Sequence, residues 1–329
     1  MKQFIRKYIM VAFLISISVL VLAACSDSGD SSSSGSNDDE LDHVTYSAFE
    51  GLNGMAVRFG GEKGFFEDEG IDIEFVVADD EVAVLTSGDV DIADGSTTRV
   101  IAGAGRGAPL KMVASMYRTQ GPFYLVAGEE IKSVEDLKGK DVGVGIVGSG
   151  MDVYARYILK EHGISADDVN LIDNGVYQQG YATLEKGQVD ATLIHEPFVI
   201  MGEESGESHL LARGWDYLPE FHTGVIAASD AFIKKNPETI ERFLKAYYTS
   251  QEYAKNNQDE YMDYILKHID IEPEILKEAL NREEEIWTND MPLDVDRLVE
   301  TQEIQLELGF QEEAYDIESM IDTSFVSEE

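Results

Sequence analysis

Apolar and polar positions follow two periods along the chain, and segments with one period alternate with segments of the other. Residues 44–48 and 71–77 have the two-residue period of a strand, whereas residues 81–87 have the spacing of an amphipathic helix. Further predicted strands are 90–93, 110–116, 141–147, 170–172 and 191–194, and further predicted helices are 54–69, 96–106, 133–137, 149–162 and 177–186. This alternation predicts an α/β fold with parallel strands, whose ligands bind beyond the carboxyl ends of the strands.

Two extended runs, at residues 123–127 and 224–228, predict that the chain passes twice between two lobes. The Glu196-Pro197 pair predicts the start of a helix in the second lobe, with proline at the first helical position. From Asp230 the pattern is helical almost to the end. We therefore expect lobe 1 to comprise residues 43–122 plus 225–329 and lobe 2 residues 123–224, joined by a hinge of two crossings and followed by a helical C-terminal region.

The stretch D-V-G-V-G-I-V-G-S-G-M-D-V-Y-A-R, residues 141–156, predicts a strand that breaks into a glycine-rich loop and opens a helix. Ser149 is a good N-cap, and the free N–H groups of the following helical turn favour an anionic or strongly polar ligand group. The glycines match G-x-G-x-x-G, but the apolar alternation continues through the first two of them, which argues against a dinucleotide fingerprint. The alternative is that these small residues only admit a neighbouring helix.

The N-terminal pattern predicts export. Lys2, Arg6 and Lys7 precede the apolar run 9–22, which ends in L-A-A-C and then turns polar, as in a signal peptide. L-A-A-C resembles the bacterial lipobox, so we expect residues 1–24 to be removed and Cys25 to carry lipid, including palmitate; the alternative is an ordinary cleavage site nearby. Residues 25–42 have the composition of a flexible tether. The predicted location is the extracytoplasmic face of the cell membrane, held by the lipid anchor.

Composition and charge narrow the function classes. The chain has 25 Lys plus Arg against 64 Asp plus Glu, a net charge of −39, which argues against nucleic-acid binding. Cys25 is the only cysteine, so neither a disulfide nor a catalytic thiol is expected. The six histidines show no ligand spacing, and no G-x-S-x-G, H-E-x-x-H or P-loop motif is present. We expect no metal, no cofactor and no enzymatic activity.

Five motifs carry a family resemblance over residues 43–230. They resemble the nitrate/sulfonate/taurine and thiamine-pyrimidine-precursor branch of ABC-transporter substrate-binding proteins, and they are G-F-F-E-D-E-G-I-D-I-E-F (64–75), L-T-S-G-D-V-D-I-A (85–93), G-A-P-L-K-M-V-A-S (107–115), I-K-S-V-E-D-L-K-G-K-D-V-G-V (131–144) and L-E-K-G-Q-V-D-A-T-L-I-H-E-P-F (184–198). The resemblance implies a two-lobed type II periplasmic-binding-protein fold. It also implies an extracytoplasmic monomer that delivers a small solute to an ABC permease and its ATPase.

The resemblance also implies a ligand site between the lobes. The residues that match the family's contact positions, with Arg118 added at the cleft mouth, are Phe49, Glu50, Asn53, Ser96, Thr97, Thr98, Tyr117, Arg118, Ser149, Gly150, Met151 and Glu196. This chain has His195 where the family usually has tryptophan before E-P, and His195 is either a ligand contact or a hydrogen-bonded structural residue.

Two ligand classes follow from this site. A sulfonate- or nitrate-like anion is expected first, held by Arg118 and the helix start at Ser149. The alternative is a pyrimidine or a related thiamine or riboflavin precursor, which would stack on Tyr117 and donate amine protons to Glu50 or Glu196. An enzyme of related fold remains a further alternative.

Overall fold

The protein, a computed structural model that describes residues 41–118 and 120–326, contains two five-stranded sheets with helices around them. The strands are β1 (Asp42–Ser47), β2 (Ile71–Val76), β3 (Ile92–Ser96), β4 (Leu110–Ser115), β5 (Tyr124–Gly128), β6 (Asp141–Gly143), β7 (Asn170–Ile172), β8 (Ala191–Ile194), β9 (Ser208–Arg213) and β10 (Gly224–Ser229). The first sheet has the order β2-β1-β3-β10-β4 and the second the order β7-β6-β8-β5-β9.

Helices connect these strands and make up most of the chain after β10. They are α1 (Met55–Glu62), α2 (Phe65–Asp68), α3 (Glu81–Ser87), α4 (Thr97–Gly105), α5 (Gly150–Glu161), α6 (Tyr177–Glu185), α7 (Phe198–Ser205), α8 (Asp230–Lys235), α9 (Pro237–Asn256), α10 (Gln258–His268), α11 (Pro273–Arg282) and α12 (Val295–Glu307), with short 3-10 turns between some of them. None of the helices in the described segments is both long and apolar enough to cross a membrane. Cys25, the predicted leader and the predicted tether up to residue 40 lie outside the described residues.

Strand directions show how the chain passes between the sheets. β1 runs parallel to β2 and β3, and β6 runs parallel to β7 and β8. β10 is antiparallel to β3 and β4, and β5 is antiparallel to β8 and β9. The predicted α/β class, with two passages between sheets and a helical C-terminal region, is confirmed. The two strands that follow the predicted crossings, β5 and β10, run opposite to the other strands of their sheets, whereas β9 runs in the same direction as β8. The proposed lobe boundaries stay a prediction.

The helix α12 contacts the cores of both sheets. Leu298, near its start, packs with residues of the first sheet, whereas Ile304, about 1.7 turns later, packs in the core of the second sheet. Phe310 joins the second core, and the chain then returns to the first sheet, where the Asp322 N–H donates to the carbonyl of Met112 at 2.9 Å. The C-terminal region therefore connects the two sheets in addition to the two passages of the chain.

Three predicted elements differ from the observed ones. The helix predicted at 54–69 is interrupted between α1 and α2, where Gly64 adopts a φ of +85°. The strand predicted at 141–147 ends at Gly143, because Gly145 and Gly148 turn the chain with φ values of +69° and +84°. Pro197 precedes α7 rather than occupying its first position.

The strand β9 has no counterpart among the predicted elements. It forms the edge of the second sheet and pairs with β5.

Tyrosines of the C-terminal helices fill the core around the first sheet. Tyr247 and Tyr261 are fully or almost fully buried, and Phe243 of α9 meets the ring of Tyr46 with centroids 4.9 Å apart. These aromatic residues therefore belong to the core that packs against the first sheet.

Candidate functional site

A cavity of about 150 Å³ lies between the carboxyl ends of strands from both sheets. Residues from the first sheet follow β1, β2, β3 and β4, and residues from the second sheet follow β6, β7 and β8. This is the edge at which parallel α/β sheets bind ligands. Apart from the predicted contacts given below, the lining includes Val77, Asp79, Glu81, Arg99, Phe123, Ile146, Val176, Tyr177, His195 and Thr223.

The structure brings nine of the twelve predicted contact residues to this cavity. They are Phe49, Glu50, Asn53, Ser96, Tyr117, Arg118, Ser149, Gly150 and Met151. Thr97, Thr98 and Glu196 do not line it. The ligand-binding role of the nine stays a prediction, but their common position makes the cavity the candidate site.

Thr97 and Thr98, at the start of α4, are turned toward neighbouring protein groups. The Thr97 hydroxyl lies 3.4 Å from Nδ1 of the buried His222. The Thr98 hydroxyl donates to the carbonyl of Gly148 at 3.3 Å and so links α4 to the glycine-rich loop of the second sheet. Both threonine hydroxyls therefore contact neighbouring protein groups rather than the cavity.

Glu196 faces α11 instead of the cavity. Its Oε1 lies 3.1 Å from Nη1 of Arg282, and its Oε2 accepts from the N–H of Ile200 at 3.3 Å. Burial raises the pKa of Glu196 to about 8, although the nearby Arg282 opposes that rise. The predicted acceptor for a ligand amine is thus engaged elsewhere.

Arg118 is buried and its charge is balanced within the protein. Its Nη1 donates to the Glu283 carboxylate and, at 3.1 Å, to Oδ1 of Asn53. Its guanidinium carbon also lies 4.8 Å from the ring centroid of Tyr117 and 5.5 Å from that of Trp287. Arg118 therefore reaches the cavity wall as one half of an ion pair.

Arg99, the other arginine on the cavity, is also paired. Its Nη1 lies 3.3 Å from Oε2 of Glu81, and its Nη2 lies 3.2 Å from Oδ1 of Asp80. Its Nη1 also donates to the carbonyl of Asp79 at 3.1 Å. Among the described lining residues, every guanidinium is thus matched by a carboxylate of the chain itself.

The glycine-rich loop already holds a carboxylate. Asp152, in the first turn of α5, is fully buried, and its Oδ2 accepts from the N–H of Gly148 at 3.0 Å. Arg156 pairs with the same carboxylate at 2.7 Å. Ser149 occupies the N-cap position without a side-chain capping bond, and its buried Oγ has no partner among the described residues. The start of α5 thus carries a buried carboxylate that Arg156 balances.

An aromatic wall completes the cavity, and of its three rings only His195 was a candidate from the sequence. The rings of Tyr177 and His195 are stacked, with centroids 5.0 Å apart and planes 23° apart, and Phe123 meets His195 edge-on at 4.9 Å. Burial lowers the pKa of His195 to about 4, so this ring is neutral at pH 7. Nδ2 of Asn53 lies 3.4 Å from Nδ1 of His195 and joins the loop after β1 to the second sheet.

These side chains can bind and orient a small ring. They offer aromatic faces, the carboxylate of Glu50 and the hydroxyls of Ser149 and Tyr177. Within residues 41–118 and 120–326, no three His, Cys, Asp or Glu side chains are grouped as metal ligands.

Relatives of two kinds are similar to this chain. A binding protein named YtlA from Bacillus subtilis (strain 168) is 27% identical over 230 residues, which cover 67% of this chain and 69% of that protein. The 4-amino-5-hydroxymethyl-2-methylpyrimidine phosphate synthase THI13 of Saccharomyces cerevisiae (strain ATCC 204508 / S288c) is 26% identical over 225 residues, which cover 61% of this chain and 64% of the yeast protein. The chain thus spans just under two thirds of the yeast synthase.

Solved structures identify the fold. The alkanesulfonate-binding protein SsuA from Xanthomonas axonopodis pv. citri, bound to MOPS, matches with a TM-score of 0.72 and 15% identity over 87% of this chain and 99% of that one. At this identity the likeness concerns the fold alone, and it confirms the predicted periplasmic-binding-protein fold. The family model described as NMT1/THI5 like matches residues 54–261, which is more than half of the chain. The chain therefore belongs to the NMT1/THI5-like family.

Proposed function

We propose that this protein is the extracytoplasmic solute-binding component of an ABC importer and that it captures a single heteroaromatic ring bearing an amino group. The observation that carries the proposal is the pairing of both cavity arginines, Arg99 with Glu81 and Arg118 with Glu283, in a cavity walled by aromatic rings. An anion would have to compete with these carboxylates for the guanidinium groups. A neutral or cationic ring gains contacts without disturbing them.

Local charge also favours a neutral or cationic solute over an anion. The carboxylates of Glu50 and Asp79 are exposed at the cavity and add negative charge that no lining cation is free to offset. The Asp152 carboxylate lies near the helix start that was expected to hold an anion, where Arg156 balances it. The exposed carboxylates of Glu50 and Asp79 therefore repel a sulfonate and attract an amine.

Cavity size suggests one ring rather than two. A dry cavity of about 150 Å³ in another protein holds one benzene molecule, and the cavity here has about the same volume. The yeast relatives are named for a chemistry that involves an aminopyrimidine, a ring of this size. The pyrimidine alternative, second in the expectation from sequence, is thus the one that the geometry favours.

The proposed function also includes the location and the partners that the sequence predicts. Lipid on Cys25 would hold the protein on the outer face of the membrane, and the residues that follow would act as a tether. The monomeric domain would then deliver its solute to a permease and its ATPase. Support comes from the leader pattern and from relatives such as YtlA, which is named a binding protein.

A sulfonate is the second candidate. The buried Ser149 Oγ has no partner among the described residues and stands at the start of α5, where it is able to donate to an anionic oxygen. SsuA, which shares the fold, binds MOPS. In this candidate the anion would lie near the Asp152 carboxylate, which Arg156 balances.

Calorimetric titration of the chain without its leader decides between the two ligand classes. We expect 4-amino-5-hydroxymethyl-2-methylpyrimidine to bind at least about 100-fold more tightly than MOPS. Phe123→Leu, which removes one ring of the wall, should weaken pyrimidine binding about fivefold. The matched control is Phe198→Leu, since Phe198 stacks on Tyr181 away from the cavity lining. Tighter binding of MOPS would overturn the proposed ligand class.

An enzymatic function is tested in the same samples, because relatives at 26% identity are named synthases. Mass spectrometry of the bound pyrimidine after prolonged incubation should return the unaltered ligand. A product that accumulates with time would show that the protein acts on this ligand as an enzyme.

A further inference from the structure

The two tyrosines on the cavity differ in what their hydroxyl hydrogens do. The Tyr117 hydroxyl donates to the main-chain carbonyl of Asn53 at 2.9 Å, so its hydrogen is used within the protein. For the Tyr177 hydroxyl, the described residues provide a hydrogen-bond partner in the Asn53 side chain. Whether the Tyr177 hydroxyl or the Asn53 side chain acts as the donor depends on the orientation of the Asn53 amide.

Arg118 fixes that orientation. A guanidinium only donates, so its Nη1, 3.1 Å from Asn53, must face the amide oxygen Oδ1. The Tyr117 hydroxyl oxygen also lies 3.5 Å from Oδ1, but its hydrogen is donated to the main-chain carbonyl. The NH₂ group is therefore directed toward the second sheet, where Nδ1 of His195 accepts one of its hydrogens at 3.4 Å.

The NH₂ group is also the part of the Asn53 side chain that can meet the Tyr177 hydroxyl. Because an amide nitrogen cannot accept, any hydrogen bond between the two uses the Tyr177 oxygen as the acceptor. No acceptor for the Tyr177 hydroxyl hydrogen occurs among the described residues, and the side chain lines the cavity. Tyr177 thus presents an unused donor to whatever the cavity holds.

The backbone and the neighbours of Tyr177 hold it in this position. It adopts a φ of +52°, a conformation that a bulky residue rarely adopts without a local constraint. Gly51 packs so closely that a Cβ there would lie 2.9 Å from the Tyr177 ring, and His195 covers the ring by stacking. The donor is therefore set in a fixed place on the wall.

Glu50 supplies an acceptor beside this donor. It precedes Gly51, lines the cavity and is exposed, and the described residues give its carboxylate no hydrogen bond or ion pair. Gly51, which directly follows Glu50, packs against the Tyr177 ring, so the two residues lie on the same part of the cavity wall. A donor and an acceptor without partners among the described residues thus line the same cavity.

We propose that Tyr177 and Glu50 together recognise an amidine edge, in which a ring nitrogen stands next to a carbon that bears an amino group. The Tyr177 hydroxyl donates to the ring nitrogen, and the Glu50 carboxylate accepts from the amino group. This inference rests on the proposed function and specifies which heteroaromatic amines the site selects. A ring with only one of the two features leaves either the donor or the acceptor unmatched.

Three probes of similar size separate the two contacts. They are 4-aminopyrimidine, which has the whole edge, pyrimidine, which lacks the amino group, and aniline, which lacks the ring nitrogen. Calorimetry at about pH 8 should show 4-aminopyrimidine binding about tenfold more tightly than either of the others, the effect of one hydrogen bond. Tyr177→Phe should abolish its advantage over aniline only. Glu50→Leu should abolish its advantage over pyrimidine only.

Matched controls are Tyr157→Phe and Glu130→Leu, since both residues are off the cavity lining and Glu130 is exposed. Neither control should change the ranking of the probes. Equal affinity of the three probes for the unmodified protein, or an equal loss for all three in Tyr177→Phe, would overturn the inference while leaving the proposed function in place. Failure of all three probes to bind would overturn both.

Discussion

Arg118 and Glu283 bring opposite charges into the protein interior directly behind the cavity. Both side chains are almost fully buried, and 165 residues separate them in the sequence. A buried pair of this kind stabilises little relative to apolar residues, but removing one partner leaves the other charge uncompensated. The consequence for the site is that Arg118 reaches Asn53 and the cavity wall while paired with Glu283.

Substitution of Glu283 tests whether the buried charge of Arg118 depends on its carboxylate partner. Glu283→Gln should reduce the free energy of unfolding by about 3 to 5 kcal/mol, because Arg118 then remains charged and unpaired in the interior. Urea denaturation followed by circular dichroism measures the loss. Glu285→Gln is the control, since Glu285 pairs with Arg213 at the surface and should cost less than about 1 kcal/mol. Equal losses would show that Arg118 is solvated.

The buried Glu196 predicts a pH dependence. Its folded pKa of about 8 lies above the ordinary value of 4.5, so the folded state binds this proton more tightly. The stability that the group contributes is fully present below about pH 4.5 and is lost as pH rises toward 8. Glu196→Gln cannot titrate, so the stability of the unmodified protein minus that of the variant should decrease between pH 5 and 9.

Denaturation at several pH values provides this difference. His195 and His222, whose pKa values burial lowers to about 4, act in the opposite sense by destabilising the fold as pH falls below 6.5. They are present in both proteins and cancel in the difference. A difference that grows with pH would mean that the ion pair with Arg282 outweighs burial.

Some of these residue roles were readable in the sequence and others were not. Ser149 and Asp152 form the S-x-x-D pattern of a helix start, a signal that an acid already occupies this end of α5. Nothing local connects Arg118 with Glu283, since their pairing depends on the whole fold. The role of Tyr177 depends on its positive φ, which no pattern of apolar residues indicates.

At the level of elements, the glycine-rich loop after β6 gives a graded test. Gly145 and Gly148 both have positive φ, but a Cβ on Gly145 would meet Sδ of Met151 at 2.7 Å, whereas Gly148 has open space around it. Gly148→Ala should therefore cost about 1 to 2 kcal/mol from backbone strain alone. Gly145→Ala should cost clearly more, and thermal unfolding compares the two. Equal costs would show that Met151 moves freely.

This loop also explains why the strand predicted at 141–147 is longer than the observed β6. Val142, Val144 and Ile146 alternate with small residues, which is the pattern of a strand, but only the first of them lies within β6. Glycine satisfies the same alternation in a strand and in a turn. The overestimate therefore falls at the place where the backbone approaches the cavity.

The packing of helix α12 against the core of the second sheet can be tested by substitution. Ile304 packs in the core of the second sheet although it belongs to the C-terminal region. Ile304→Ala should lower the free energy of unfolding by about 2 to 5 kcal/mol. Val299→Ala on the same helix is the control, since Val299 is 38% exposed and should cost less than about 1 kcal/mol. A small loss at Ile304 would mean that α12 does not hold the sheets together.

At the scale of the whole molecule, the proposed membrane attachment depends on the sulfur atom of Cys25. Cys25→Ser should release the protein from the membrane fraction while leaving ligand binding and thermal stability of the domain unchanged, because lipid on Cys25 is the proposed attachment and the composition of residues 25–42 predicts a tether without packed contacts. Fractionation of cells that express each form measures the release. Retention of the variant, after confirmed removal of the leader, would contradict lipid anchoring.

The position of β10 has a consequence for the order in which the protein is made. The five strands of the second sheet come from one continuous stretch, residues 124–213, so a growing chain contains all of them by residue 213. The first sheet needs β10 between β3 and β4, and β10 is synthesised only after the whole of the second sheet. The half that begins the domain is therefore the half whose hydrogen bonding is completed last, and the edges of β3 and β4 stay unpaired during that interval.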